Sequence, residues 1–360
     1  MNRETSIFLD AVRFMAALFV FADHLGSQRL TGGFLWQLEP AGGEAVIIFF
    51  VLSGFVIGYV TDKRERDLRT YAVNRMARIY SVTLPALAIT FALDSFGLLQ
   101  NAQLYLVDPL FFSPPRLVQY TTGMFFLHQL WGANITPGTN LAYWSLGYEV
   151  WYYIIFGAAM FAPSKHRWLA AAVAVAIAGP KIALLLPIWL SGVGLYRLCE
   201  RHVPSRRAGW ILFTGSILLW IGFEIWSAWH GRLVVASRSF LPRNEIPQDY
   251  VVACLFALNL YGFRAISPDF GSMLIRAERT IRWIAGATFS LYLIHQPVMQ
   301  MLVSISPWNI ETWQNRALLI VGTLAIVFAF AELTERRKEV WRRWIEGGIT
   351  LIHGTLIRSA

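Results

Sequence analysis

The stretch Leu9-Asp10-Ala11-Val12-Arg13-Phe14-Met15-Ala16-Ala17-Leu18-Phe19-Val20-Phe21-Ala22-Asp23-His24 decides how this chain is read. It is an apolar run with a guanidinium toward one end and an imidazole at the other, and it reads as a first membrane helix. Arg13 and His24 are eleven residues apart. At about 100° per residue that is three turns plus about 20°, so both project from one face. At 1.5 Å rise per residue they lie about 17 Å apart along the axis. An ionisable side chain inside an apolar span is costly and by default marks a polar path or site. The structural alternative is an arginine that snorkels to the interface and a histidine satisfied by a neighbouring helix.

Composition carries the membrane reading to the whole chain. Its 360 residues are 56% hydrophobic and only 15% charged, with a mean hydropathy of +0.48, whereas soluble domains carry about 25% charged residues. Apolar blocks of about 17–22 residues recur, the length that crosses a hydrocarbon core. The fold class expected is all-α: a polytopic transmembrane helical bundle with about ten spans plus a partial re-entrant or interfacial helix. Fifteen tryptophans suit the two interfacial belts. The net charge of +9 is no nucleic-acid signal, because the Lys and Arg residues sit between the apolar blocks, where they set orientation. Cys199 and Cys254 make neither a disulfide framework nor a metal spacing, so no metal is expected. The first apolar block lacks a small-x-small cleavage site and reads as a retained span.

Orientation follows from the basic loops. The segment from Asp62 to Arg78 carries Lys63, Arg64, Arg66, Arg69, Arg75 and Arg78, which puts it and both termini on the cytoplasmic face. Lys165-His166-Arg167 close the span at 144–162 on the same side. The short apolar segment 117–131 therefore cannot cross completely, and a re-entrant or interfacial element is expected there. The loop 229–248, expected outside, is the one weak contradiction, because it contains Arg232, Arg238 and Arg243. Residues 1–335 form the expected membrane domain, and 336–360 a basic amphipathic tail on the cytoplasmic surface.

Three further constellations stand out. In Asn74-Arg75-Met76-Ala77-Arg78-Ile79-Tyr80 two guanidiniums share a helical face at a cytoplasmic helix start, which suits bidentate phosphate binding or simple topology marking. In Tyr143-Trp144-Ser145-Leu146-Gly147-Tyr148-Glu149 a carboxylate falls inside a span, where it needs a partner such as His or Arg, or a proton. In Thr288-Phe289-Ser290-Leu291-Tyr292-Leu293-Ile294-His295-Gln296-Pro297 the proline frees the Leu293 carbonyl, and His295 is either a cavity wall or a satisfied core histidine. Gly54 and Gly58, four apart, are read as a helix-packing pair.

Taken together, Arg13-x10-His24, Phe49-Phe50-Val51-Leu52-Ser53-Gly54-Phe55, Arg75-x-x-Arg78-Ile79-Tyr80, Trp144-Ser145-Leu146-x-x-Glu149 and Ser290-Leu291-Tyr292-Leu293-Ile294-His295-x-Pro297 stand in the order seen in the acyltransferase-3 family, which the chain resembles from about residue 5 to 335. Ser81 after Arg-Ile-Tyr, Gly147-Tyr148 and Val150 depart from the commoner pattern without removing a candidate catalytic group. The resemblance implies a membrane O-acyltransferase of a bacterial inner membrane, with a cytoplasmic acyl-CoA donor, usually acetyl-CoA. It implies as acceptor a hydroxyl of an exopolysaccharide, lipopolysaccharide or lipid-linked sugar. On that reading Arg13, Arg75 and Arg78 hold the CoA phosphates, and the pantetheine arm threads inward over about 17 Å to His24. His24 is the general base, with a covalent acyl-His24 intermediate as the alternative, and Glu149 and His295 take supporting catalytic roles. Other expectations are a transporter or flippase for a polar lipid or sugar, lined by the same charges, and a scaffold in which no single polar residue matters; no internal repeat is visible to support a transporter.

Overall fold

The computed structural model describes residues 1–106, 111, 113–234 and 245–347. Among them the regular structure is helical throughout, with no strand. The main helices are α1 (Arg3–Leu25), α2 (Glu39–Lys63), α3 (Leu68–Gln100), α4 (Arg116–Met124), α5 (Trp144–Phe161), α6 (Arg167–Ala178), α7 (Pro180–Arg201), α8 (Arg206–His230), α9 (Ile246–Ile266), α10 (Gly271–Ala285), α11 (Thr288–Ile305), α12 (Trp313–Ala317) and α13 (Thr323–Leu333). A π-helical turn, Leu318–Gly322, joins the last two. Residues 338–347 are again helical, while 348–360, most of the expected tail, lie outside the described residues.

Seven helical segments are long and apolar enough to cross a membrane, so the expected count of about ten is not confirmed. The difference lies partly in α5 and α11. Each has 18 residues, about 27 Å of helix, but they carry Glu149, His295 and many Tyr, Trp and Gln side chains that dilute the apolar signal. At 12 residues α6 is shorter still. Helix α3 runs the other way: its 33 residues span about 50 Å, more than a hydrocarbon core needs, so Arg75 and Arg78 near its start can stand beyond the apolar layer. The segment expected to cross only partly contains α4, nine residues long and about 14 Å. The chain then turns back through left-handed Phe126 and Trp131. Asp94 of α3 anchors this return by accepting from the Thr139 amide (2.9 Å) and hydroxyl (2.6 Å).

Helix packing centres on α2, which lies along both α7 and α1; α3 lies along α11, and α1 also meets α10 and α11. Glycines permit the tightest crossing. A Cβ at Gly54 would collide with the Trp189 carbonyl of α7, and one at Gly192 of α7 would collide with the Val51 carbonyl of α2, so the two backbones touch reciprocally. The expected packing role of Gly54 is met, and Gly58 lies against Tyr196. Helix α8 packs on α9 and leaves Ile211, Leu218, Leu219, Ile221 and Ile225 exposed. Such a face is unremarkable against lipid tails, which are as apolar as the side chains.

The weak contradiction in the charge pattern has a local cause. Arg232 reaches Glu44 (3.2 Å), Glu245 (3.1 Å) and Glu224 (3.7 Å), so its charge is neutralised where it stands. Trp220 and Gln248 also donate to Glu44. Arg238 and Arg243 lie outside the described residues.

Candidate functional site

A cavity of about 840 Å³ opens between α1, α2, α3, α5, α10 and α11. Eight cationic and five anionic side chains line it, an unusual concentration of charge for a chain this apolar. Arg13, Arg75, Arg78 and Glu149 are all on its wall. The sequence motifs that carry them are up to 136 residues apart (Arg13 to Glu149) and meet here only through the tertiary fold.

The four residues differ in what they are free to do. Arg75 is engaged: it donates to Glu65 at 2.8 Å and lies between the rings of Tyr71 (5.6 Å) and Tyr153 (5.7 Å). Its side chain is 12% exposed and that of Glu65 4%, so this is a buried structural pair more than an open phosphate hook. Arg13 approaches Asp10 at a loose 3.8 Å. Arg78 is exposed to the cavity and makes no ion pair among the described residues, although it feels Glu149, Glu335 and Asp10 electrostatically. An arginine held without a direct partner in a cavity is poised for an anionic ligand.

Glu149 is met by hydroxyls, whereas the sequence suggested a partner such as His or Arg, or a proton. Ser53 (2.7 Å) and Tyr153 (2.5 Å) both donate to Glu149 Oε1. Ser53 in turn accepts from Trp189 Nε1 at 3.1 Å. A carboxylate with two hydroxyl donors on one oxygen is well satisfied as an anion, and it stands on the same cavity wall as Arg13 and Arg78. Ser53 lies in a motif visible in the sequence, but its bond to Glu149 crosses 96 residues and has no local signature.

His24 and His295 are brought together, but beside the cavity rather than on its lining. His24 Nδ1 is 2.6 Å from His295 Nε2, and the rings meet edge to edge, with centroids 4.9 Å apart and only 18° between planes. His295 Nδ1 lies 2.8 Å from the Leu291 carbonyl, which can only accept. His295 Nδ1 therefore carries a proton, its Nε2 offers a lone pair in the neutral ring, and His24 donates its Nδ1–H to that lone pair. His24 Nε2 is left as the basic nitrogen. The carbonyl used is Leu291, not the Leu293 carbonyl that Pro297 frees. His295 is fully buried, whereas His24 is partly exposed.

The pair is joined to the cavity wall through α2 and α11. Asp23, next to His24, packs against Gly42, and Val46 is the residue of α2 nearest Gly42 on the cavity wall. These are four residues apart, about 6 Å along the helix. Phe49 and Tyr292, both on the cavity wall, meet edge to face at 5.4 Å, with the Tyr292 hydroxyl 2.6 Å from that of Ser145. Tyr292 is one turn before His295 on α11. That helix is itself held from the cavity side: Glu335 accepts from the backbone amides of Phe289 (3.2 Å) and Ser290 (2.9 Å) and from the Ser290 hydroxyl (3.0 Å). It thus caps the free N–H groups of α11 from 45 residues away in sequence. Nothing in the local sequence announces this cap. Among the described residues no group of His, Cys, Asp and Glu is arranged to hold a metal ion.

Comparison with known proteins adds an independent line. The family described as acyltransferase domain (acyltransferase-3) matches residues 6–332. The chain is 31% identical over 162 residues to an O-acetyl transferase of Shigella phage Sf6, covering 42% of this chain and 45% of that protein. It is 27% identical over 228 residues to the exopolysaccharide production protein ExoZ of Rhizobium meliloti (strain 1021), covering 62% and 59%. It is 30% identical over 158 residues to the acyltransferase MdmB of Streptomyces mycarofaciens, covering 41% and 37%. The chain thus spans about half the length of the curated relatives it matches. No solved structure matches it.

Proposed function

The chain belongs to the acyltransferase domain family and is an integral membrane protein, and from that premise we propose that it is a membrane O-acyltransferase. It moves an acyl group, acetyl in the simplest case, from acyl-CoA to a hydroxyl of a carbohydrate or glycolipid. The observation that carries the reading is a cation-lined cavity whose wall includes Tyr292, one turn before His295 on α11, with His295 paired to His24. The names of two relatives, an O-acetyl transferase and an exopolysaccharide production protein, favour an acetyl donor and a polysaccharide acceptor. The basic mouth belongs on the cytoplasmic face of a bacterial inner membrane, where acyl-CoA is available.

The donor enters phosphate-first contacts at the mouth and extends inward. Arg78 and Arg13 meet its negative charge, and Arg75 holds the wall they stand on. The thioester lies at the Phe49–Tyr292 end. An alcohol is a poor nucleophile at neutral pH and needs a base. His24 Nε2 takes the acceptor hydroxyl proton as the oxygen attacks the thioester carbonyl. The C–S bond breaks, and the proton returns from His24 to the leaving thiolate, leaving ester and CoA-SH. His295 holds the tautomer that makes Nε2 the base and shares the charge of the transient imidazolium. Glu149 lends negative charge to the same wall and offsets Arg13 and Arg78 when no donor is bound.

The test is transfer of label from acetyl-CoA in membranes containing the wild-type chain or His24→Ala. Label in a carbohydrate or glycolipid fraction with the wild type alone is expected. Equal labelling by the variant would remove His24 from the mechanism, and no labelling by the wild type would remove the reading itself.

A further inference from the structure

The two ends of the cavity differ in chemistry. The inner end is aromatic and hydroxyl-lined. Charged groups of the cavity wall come in part from Arg64, where α2 ends, and from residues 335–342. From Val46 to Arg64 the wall follows 18 residues of α2, about 27 Å, long enough for an extended nucleotide and pantetheine chain.

The mouth cations are not equivalent. Arg282 is tied to Asp10 (2.9 Å) and Glu278 (2.8 Å). Arg336 is tied to Glu332 and donates to the Trp283 carbonyl at 2.7 Å. Arg342 is paired with Glu346 (3.0 Å) and, more loosely, with Glu339 (3.9 Å). Arg64 and Lys338 have no ion pair among the described residues, and Arg64 has only the Tyr59 ring at 5.8 Å. A solvated surface charge would look the same if each stood alone. These two, the C-cap of α2 and a residue of the C-terminal helical segment, are 274 residues apart in sequence and line one cavity. Lys338 also lies past residue 332, where the family match ends, so this part of the wall is not accounted for by family membership.

We infer that Arg64 and Lys338 form a phosphate subsite at the cavity mouth that takes the 3′-phosphate of the coenzyme A moiety. The inference rests on the acyl-CoA reading above and adds to it a division of labour. The mouth pair holds the terminal phosphomonoester, which carries the most charge per group. Arg78 and Arg13 meet the diphosphate and the chain beyond it. Bidentate arginine and point-charge lysine together suit a phosphomonoester. Residues 335–342 thereby belong to the donor site, and Glu335, which caps α11, ties that segment to the helix carrying Tyr292 and His295.

The experiment compares CoA with 3′-dephospho-CoA, both by direct binding to the purified protein in phosphatidylcholine nanodiscs and as acetyl donors. The wild type is expected to prefer the 3′-phosphorylated form by about tenfold or more, the worth of one charge-assisted contact. Arg64→Ala/Lys338→Ala should erase that preference, and Arg64→Lys/Lys338→Arg should restore most of it. Equal binding of the two forms by the wild type, or a preference that survives in the alanine pair, overturns the subsite. Selective CoA binding without any acyl transfer supports the subsite while failing the O-acyltransferase reading, so the two failures are distinguishable. Phosphate of anionic lipid offers the same chemistry. If the alanine pair loses association with phosphatidylglycerol vesicles but keeps its CoA preference, the cations serve lipid and the inference falls.

Discussion

His24 and His295 meet nitrogen to nitrogen at 2.6 Å, and the orientation of one ring dictates the chemistry of the other. The Leu291 carbonyl, 2.8 Å from His295 Nδ1, sets the direction of every proton in the chain that follows. A neutral imidazole here occupies the position that a carboxylate takes in hydrolytic triads, orienting the base without adding a negative charge to a buried site. Such a partner can share a proton with His24 but does not favour two, since two adjacent imidazolium rings would repel.

Loss of His24 should remove the base altogether. His24→Ala is expected to lower kcat by about 10²–10⁴-fold with little change in donor KM. His295→Ala should lower kcat by about 10–100-fold through the lost tautomer control, and His295→Gln, whose amide oxygen can accept from His24 Nδ1, should recover part of it. In the wild type, activity should fall as pH drops, because an imidazolium has no lone pair with which to accept a proton. Steady-state kinetics against pH for the three variants would separate these effects. An unchanged kcat in His295→Ala would show that the pairing is packing only.

The two arginines of the α3 motif should fail differently. Arg78→Ala should raise the KM for acyl-CoA by about tenfold and leave the melting temperature nearly in place, because Arg78 has no ion pair among the described residues to lose. Arg75→Ala leaves the buried Glu65 charge with only the Asn74 amide (2.8 Å) as partner and should cost about 2–3 kcal/mol of stability. Thermal unfolding in detergent beside donor KM for each variant checks the distinction. Equal melting curves would show that Arg75 is not structural.

The α2–α7 crossing should not tolerate even one methyl group. Gly54→Ala and Gly192→Ala each force a Cβ into the facing carbonyl and should destabilise by about 1–3 kcal/mol. Gly215→Ala on α8, where a Cβ meets open space, is the control and should melt like the wild type. Thermal unfolding of the three proteins tests the crossing directly.

Removing the remote cap should loosen α11. Glu335→Ala leaves the amides of Phe289 and Ser290 without their acceptor and should cost about 1 kcal/mol. Amide exchange at the start of α11 should rise in this variant and stay low in Glu339→Ala, whose side chain makes no such bond. Equal protection in both would show that α11 is held by packing alone.

The sequence by itself determined that this chain is a membrane bundle, because long apolar runs with charges between them have few other solutions. It marked 117–131 as too short to cross completely, and it singled out Arg13, His24 and Glu149 by the cost of polar groups in an apolar span, Arg75 and Arg78 by their shared helical face, and His295 by the Pro297 kink. The number of spans was less legible, because aromatic and polar site residues mask α5 and α11, and α3 is far longer than its apolar portion. Only the tertiary structure decided which of those polar residues face one another. Glu149 found hydroxyls from α2 and its own helix, Arg75 was drawn into a buried pair with Glu65, Arg78 was left open to the cavity, and the two histidines were joined across 271 residues. Periodicity reports which face of a helix a residue occupies; it carries no information about which other helix will lie against that face. That choice is made by close packing, as at Gly54 and Gly192, and by distant hydrogen bonds such as the Glu335 cap, whose partners are neighbours only after folding.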